Sequence, residues 1–183
     1  SRLSNEQVTA LETADIKAMS SVQIRSLLPN QAGALTTDHI QTLGTAGVQW
    51  LKTSQITGLT AEQIKSLNTA QIQALQTDQY AALTGVQLAS LTTSQIEKLE
   101  TNDIQAIKSR QIKSLTGEQI NAFTTAQIRQ LMTAQTAALT SDQITALNTA
   151  QTQSLLTTQV ASFTSAQIAG LEISDLAVMK SDQ

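Results

Sequence analysis

The chain has no cysteine, one proline and one histidine in 183 residues, and aromatic side chains make up only 2% of it. Without cysteine there is neither a disulfide framework nor a thiolate zinc site. That absence fits the cytosol, and it fits many exported bacterial proteins equally. Hydrophobic residues reach 40%, so with so few aromatics the core must be thin and aliphatic. Eleven Lys and Arg against fourteen Asp and Glu give a net charge of -3, which supplies no basic face for nucleic acid. No apolar run approaches a membrane span, and no signal peptide is recognisable.

What the chain does have is an eight-residue repeat without insertion or deletion. An aliphatic residue recurs at Val8, Ile16, Ile24, Ile40, Val48, Ile56 and onward to Leu176, and a second apolar residue follows three positions later, from Leu11 to Met179. All 22 octads keep the second position and 18 keep Ile, Val or Leu at the first, the exceptions being Ala32, Tyr80, Thr136 and Thr152. So short and strict a period means a stacked, quasi-one-dimensional array.

The octad selects its own secondary structure. Spacings of three and five put the apolar residues on opposite faces of a strand. In a continuous helix, eight residues advance two turns plus about 80°, so the apolar stripe would wind around the rod. A short helix per octad remains, broken and restarted at each repeat. In Leu59-Thr60-Ala61-Glu62-Gln63-Ile64, Thr60 caps the helix, Gln63 completes a capping box, and Leu59 with Ile64 forms a hydrophobic staple. Gln holds the box position in 17 octads; Asp15, His39, Asp103 and Asp175 replace it elsewhere. Where the first cap candidate is poor (Glu12, Lys52, Gln76, Glu100, Lys108, Met132), the cap is expected to slide to Thr13, Thr53, Thr77, Thr101, Ser109 or Thr133. Only the Leu28-Pro29 and Glu172-Ile173 junctions lack both; Pro29 suits a first helical position. Acidic residues such as Glu6, Asp38 and Glu62 fall in the first turn, where the helix dipole favours them.

The expected fold is an all-α solenoid of helices six or seven residues long, one per octad, running as a single array over residues 1–183. Such helices are unstable alone and must be held by stacking. The usually small residue before the second apolar position (Ala10, Ala18, Gly58, Ser66) should face an adjacent coil, and Gln side chains in register could bond between coils as an internal ladder. No sixteen-residue superperiod is evident, so the number of helices per turn is left open. Lys180-Ser181-Asp182-Gln183 reads as the opening of another octad. A segment of a longer array is expected, with Ser1 left over from cloning.

Candidate sites are few. His39, the sole histidine, has no accompanying nucleophile or second histidine and reads as a tolerated surface substitution. Asp15, Asp103 and Asp175 are explained by helix capping rather than metal binding, and no cofactor is implied. Trp50, in the glycine-containing stretch Gly44-Thr45-Ala46-Gly47-Val48-Gln49-Trp50-Leu51, is either a partner-contact residue or a filler of space beside Gly44 and Gly47. Lys108, Arg110 and Lys113 form the one basic cluster, a patch for an acidic partner or a solvated face. Threonine rows could match a periodic ligand such as ice or glycan, although capping already explains them.

Segments such as Leu91-Thr92-Thr93-Ser94-Gln95-Ile96 and Phe123-Thr124-Thr125-Ala126-Gln127-Ile128 resemble the Thr-x-Gln-Ile/Val-x-x-Leu arrays of large proteobacterial surface and adhesin-like proteins. The resemblance covers essentially the whole chain. It implies a non-enzymatic spacer or stalk presenting a binding domain, and an extracellular or cell-surface setting. The alternative is a protein-binding solenoid, a secreted effector or scaffold that uses one face. A protein partner or end-to-end self-association would fit either. Leu59-Thr60-Ala61-Glu62-Gln63-Ile64 also looks like the helix opening of transcription-activator-like effector repeats, but those are longer, basic and carry a base-reading pair, so DNA binding is rejected.

Overall fold

The computed structural model describes residues 3–171 and 173–179; the Glu172 junction, the side chain of Asp175 and the closing Lys180–Gln183 half-octad lie outside the described residues. The chain divides into two compact units, Ser1–Leu91 and Thr92–Gln183. The first holds α1 (Asn5–Thr9), α2 (Thr13–Ala18), α3 (Ser21–Ser26), α4 (Pro29–Gly33), α5 (Thr37–Thr42), α6 (Gly44–Trp50), α7 (Thr53–Gly58), α8 (Ala61–Ser66), α9 (Thr69–Ala74), α10 (Thr77–Ala82) and α11 (Gly85–Ala89). The second holds α12 (Thr93–Ile96), α13 (Thr101–Ala106), α14 (Ser109–Ile112), α15 (Gly117–Asn121), α16 (Thr125–Gln130), α17 (Thr133–Thr136), α18 (Ser141–Thr145), α19 (Thr149–Ser154), α20 (Thr157–Val160), α21 (Ser165–Ala169) and α22 (Ile173–Val178). Among the described residues each octad is one helix, and within each unit a helix packs on the third one along, as α4 does on α7 and α16 on α19. Each unit is thus an α-solenoid.

The helices run from four to seven residues, several of them shorter than the six or seven expected. The exit shared by the octads from Leu11 to Leu171, Leu43 apart, explains it. The N–H of the second apolar residue bonds the carbonyl of the first, three residues back, as in Leu59 to Ile56 (3.1 Å) and Leu99 to Ile96 (3.1 Å). This tighter bond ends the α-helix early. The second apolar residue then turns extended, and so does the next: Leu59 has φ -67° and ψ 144°, Thr60 φ -75° and ψ 161°. Two extended residues make the corner, and the following helix starts.

The core is two aliphatic columns. The first apolar position is sealed, with Ile40, Ile56, Ile64, Ile72, Ile104 and Ile112 at 0% exposure. The second is nearly so, as at Leu59, Leu75, Leu99 and Leu131. The four exceptions to the aliphatic rule are also buried. Tyr80 satisfies its hydroxyl on the Ile72 carbonyl, and Thr136 bonds the carbonyls of Met132 and Thr133 and the Ser162 hydroxyl. A polar atom buried in such a column has to be paired, and no buried side-chain N or O among the described residues is left without a partner.

The small position does face a neighbouring coil. A Cβ on Gly58 would lie 2.3 Å from the Pro29 carbonyl oxygen, and one on Gly33 would lie 2.5 Å from the Gly58 oxygen. Backbone touches backbone between α4 and α7, and glycine is what permits it. Elsewhere the carbonyl of the small residue accepts a bond from a polar side chain 25 residues earlier: Thr9 to Ala34, Thr57 to Ala82, Thr145 to Gly170.

The glutamine corner and the candidate contact residues

The box glutamine is the polar centre of each octad. In α7, the Gln55 Oε1 accepts the backbone N–H of Lys52 (2.8 Å), while its Nε2 donates to the carbonyls of Ile24 (2.7 Å) and Leu27 (2.8 Å). The oxygen closes its own corner, and the amide hydrogens clasp the two ends of an octad exit in the preceding coil. Gln79 and Gln87 repeat this in the first unit, and Gln135, Gln143 and Gln159 in the second. These side chains are buried, Gln55 and Gln135 fully. The internal ladder expected from the sequence is therefore present within both units. The bonds reach back 28 and 31 residues and the small-residue bonds reach forward 25. All three spans lie between three octads and four, so a coil is not a whole number of octads, and within each unit each helix packs on the third one along.

The cap does not slide. Glu12, Lys52, Gln76, Glu100, Lys108 and Met132 remain the N-cap residues, and the following Thr or Ser is the first helical residue. The reason lies in two interchangeable bonds. Where the cap is Thr60, Thr84 or Thr124, its Oγ1 accepts the N–H of the box residue at 3.2 Å. Where the cap has no suitable oxygen, that N–H turns to the cap carbonyl instead, as in Gln55 to Lys52 (2.9 Å) and Gln135 to Met132 (2.8 Å). The glutamine oxygen grips the cap N–H in both cases, so the register is set by Gln and the cap side chain is secondary.

His39 is not a surface substitution. It is 3% exposed, its Nδ1 accepts the Thr36 N–H (3.2 Å), and its Nε2 lies 2.9 Å from the Leu11 carbonyl. With the proton on Nε2, imidazole reproduces both halves of the glutamine, including the reach of 28 residues. Asp15 and Asp103 reproduce the first half alone, accepting the N–H of Glu12 (3.0 Å) and Glu100 (3.2 Å). Burial pushes the Asp103 carboxyl up to about 6, against the lowering effect of its backbone bond, and the neighbouring Glu100 charge adds to the rise.

One octad has no side chain at this position, because Gly47 stands there. Among the described corners its own is the one that departs from the rest: Leu43 is αR (φ -55°, ψ -28°), no box forms, and Gly44 takes φ 63°. An added Cβ at Gly47 would meet the Leu43 side chain at 2.7 Å, so Leu43 leans in where glutamine would stand. Trp50, ending this helix, is half-buried. Lys108, Arg110 and Lys113 lie together on and beside α14, all exposed. Trp50 belongs to the first unit and the basic trio to the second. Sequence reasoning missed the doubly donating amide of buried box glutamines such as Gln55 and Gln135 at its true span; the even occurrence of Gln where a cap alone would tolerate Glu was the available signal.

Among the described residues, no three His, Asp or Glu side chains cluster as a metal site would require, and no helix is long and apolar enough to cross a membrane. The fold and its polar ladder define a helical tandem-repeat protein. Residues 8–45, 48–85, 96–133 and 119–149 match the ALTTAQ repeat, and the chain belongs to that family. The six letters spell the corner found here: small residue, second apolar residue, cap, two helical residues and the box Gln, as in Ala146-Leu147-Asn148-Thr149-Ala150-Gln151. No curated protein matches the chain.

Proposed function

We propose that the chain is a non-enzymatic structural repeat region, a spacer or stalk within a large bacterial surface protein of adhesin-like type. The observation that carries this reading is the glutamine ladder. The residues that give each octad its identity are spent on closing its corner and holding the preceding coil, so what repetition of the unit supplies is length. The surface setting rests on the resemblance of the Thr-x-Gln-Ile/Val-x-x-Leu segments to surface-protein arrays. Small-angle X-ray scattering on variants with whole octads added or removed tests the spacer role: the maximum dimension should grow in proportion to octad number. A compact particle whose dimension does not follow octad number would overturn it.

A second reading, a protein-binding solenoid, draws on the departure at Leu43–Gly44, which places half-buried Trp50 beside the Gly47 corner, where no box forms. On that reading Trp50→Ala would abolish partner binding while leaving the thermal midpoint close to the parent's. The exposed Lys108, Arg110 and Lys113 would add salt-dependent affinity for an acidic partner.

A further inference from the structure

The cap position faces water in both units, as at Lys52, Thr60, Gln76, Thr124 and Asn148. Because the glutamine inside sets the register, the fold asks little of the cap side chain beyond compatibility with water. In the second unit, two helices that pack on each other break that pattern. Met132 caps α17 and Leu156 caps α20, and the two side chains are 44% and 37% exposed. α17 packs on α20 and also on α14, so the three form one column. Apolar side chains side by side in water contribute nothing to their own corners; their gain lies in being covered from outside.

The same column begins with the basic trio. Lys108 is the cap of α14, Arg110 stands within the helix and Lys113 follows its end, all three exposed. None of α14, α17 and α20 contains Asp or Glu. A chain with a net charge of -3 thus carries one stripe that is basic at α14 and apolar at the caps of α17 and α20.

The complement lies on other columns of the same unit, where α12 packs on α15 and α13 on α16. Two open grooves of about 350 and 530 Å³ adjoin there, sharing Glu97 and Thr124. The charged side chains lining them are all acidic, Glu97, Glu100 and Glu118, and Leu99, Phe123 and Ala126 give the walls an apolar part. Glu100 opens α13 and Lys108 follows its exit. The length of that helix, about 9 Å, holds the two signs apart within one molecule.

We infer that the α14–α17–α20 stripe docks side by side into the Glu97–Glu118 grooves of a second copy of this chain. Charge complementarity identifies the occupant: three exposed cations beside an apolar pair meet three exposed carboxylates around grooves with apolar walls. The contact joins two different faces, so a stripe and a groove stay free to add further copies. It rests on neither the spacer reading nor Trp50.

Sedimentation velocity on the 183-residue chain tests this. The parent should associate with rising concentration at low salt, and the association should recede as salt screens the pairing. Lys108→Glu/Arg110→Glu/Lys113→Glu reverses the stripe, and Glu97→Lys/Glu100→Lys/Glu118→Lys reverses the grooves. Each variant alone should be monomeric with an unchanged circular dichroism spectrum. Mixed, they should associate again, because each stripe then faces grooves of opposite sign. Met132→Ser/Leu156→Ser leaves every charge in place and should weaken the parent's association about tenfold, which unspecific attraction between charged chains would not show. Trp50→Ala should leave the association as it is. A parent that stays monomeric at low salt overturns the inference and makes the trio a solvated face. So does self-association of either reversed chain alone, a serine pair that associates as the parent does, or loss of association in Trp50→Ala, since the contact would then lie elsewhere.

Discussion

At the scale of the residue, the balance of forces falls on glutamine rather than threonine. A cap hydroxyl removed from a helix start costs about 0.5–2 kcal/mol, and here the box N–H has a second acceptor in the cap carbonyl, as Gln55 shows with Lys52. Gln63 by contrast serves three backbone groups: the Thr60 N–H and the carbonyls of Ala32 and Leu35. Leaving buried groups unpaired costs roughly 1–3 kcal/mol each. Thr60→Ala should therefore fall at the low end of the capping range, and Gln63→Leu should cost on the order of 3 kcal/mol; urea denaturation of the two variants checks the order. Asp103 carries a different signature. Its carboxyl is raised from 3.8 to about 6 by burial, so the folded chain holds a proton that the unfolded chain releases. Stability then falls as pH rises through that window and stays lower above it. Asp103→Asn should raise the thermal midpoint at neutral pH, and the advantage should vanish as pH drops below the ordinary aspartate range.

At the scale of the element, corners decide more than helices do. The octad spacing of Ile64 and Leu67 and the box signature of Thr60 and Gln63 were legible in the sequence, and the all-α solenoid followed from them. The position of each cap was less legible, because Ser, Thr and Asn preferences describe a side chain, whereas at Lys52 and Met132 the register is held by the glutamine from inside. His39 was misread for a related reason: without the coil beneath it, nothing marks a lone imidazole as a substitute for an amide. Gly58 shows how packing can reverse a propensity. In an exposed helix Gly→Ala gains about 1 kcal/mol, but here the new Cβ would strike the Pro29 carbonyl at 2.3 Å. Gly58→Ala should lower the thermal midpoint, as followed by circular dichroism.

At the scale of the molecule, a coil of between three and four octads explains why no superperiod of sixteen residues is visible. Within each unit each helix packs on the third one along, so every octad sees the same surroundings and none is marked in sequence by its place in the turn. Equivalence of octads has a consequence for deletions. Removing Thr60–Leu67 takes out one whole octad and leaves every later glutamine facing a pair of octad-exit carbonyls, so the helical spectrum and a cooperative melt should survive with a modest loss of stability. Removing only Thr60–Gln63 shifts the later octads by half a period and should collapse the melt of the first unit. The most direct measurement of the ladder itself is hydrogen exchange of glutamine side-chain amides by NMR. The amides of Gln55, Gln79, Gln87, Gln135, Gln143 and Gln159, buried and doubly bonded to the coil before them, should exchange far more slowly than exposed glutamines such as Gln49 and Gln73. Equal, rapid exchange of both sets would contradict the account.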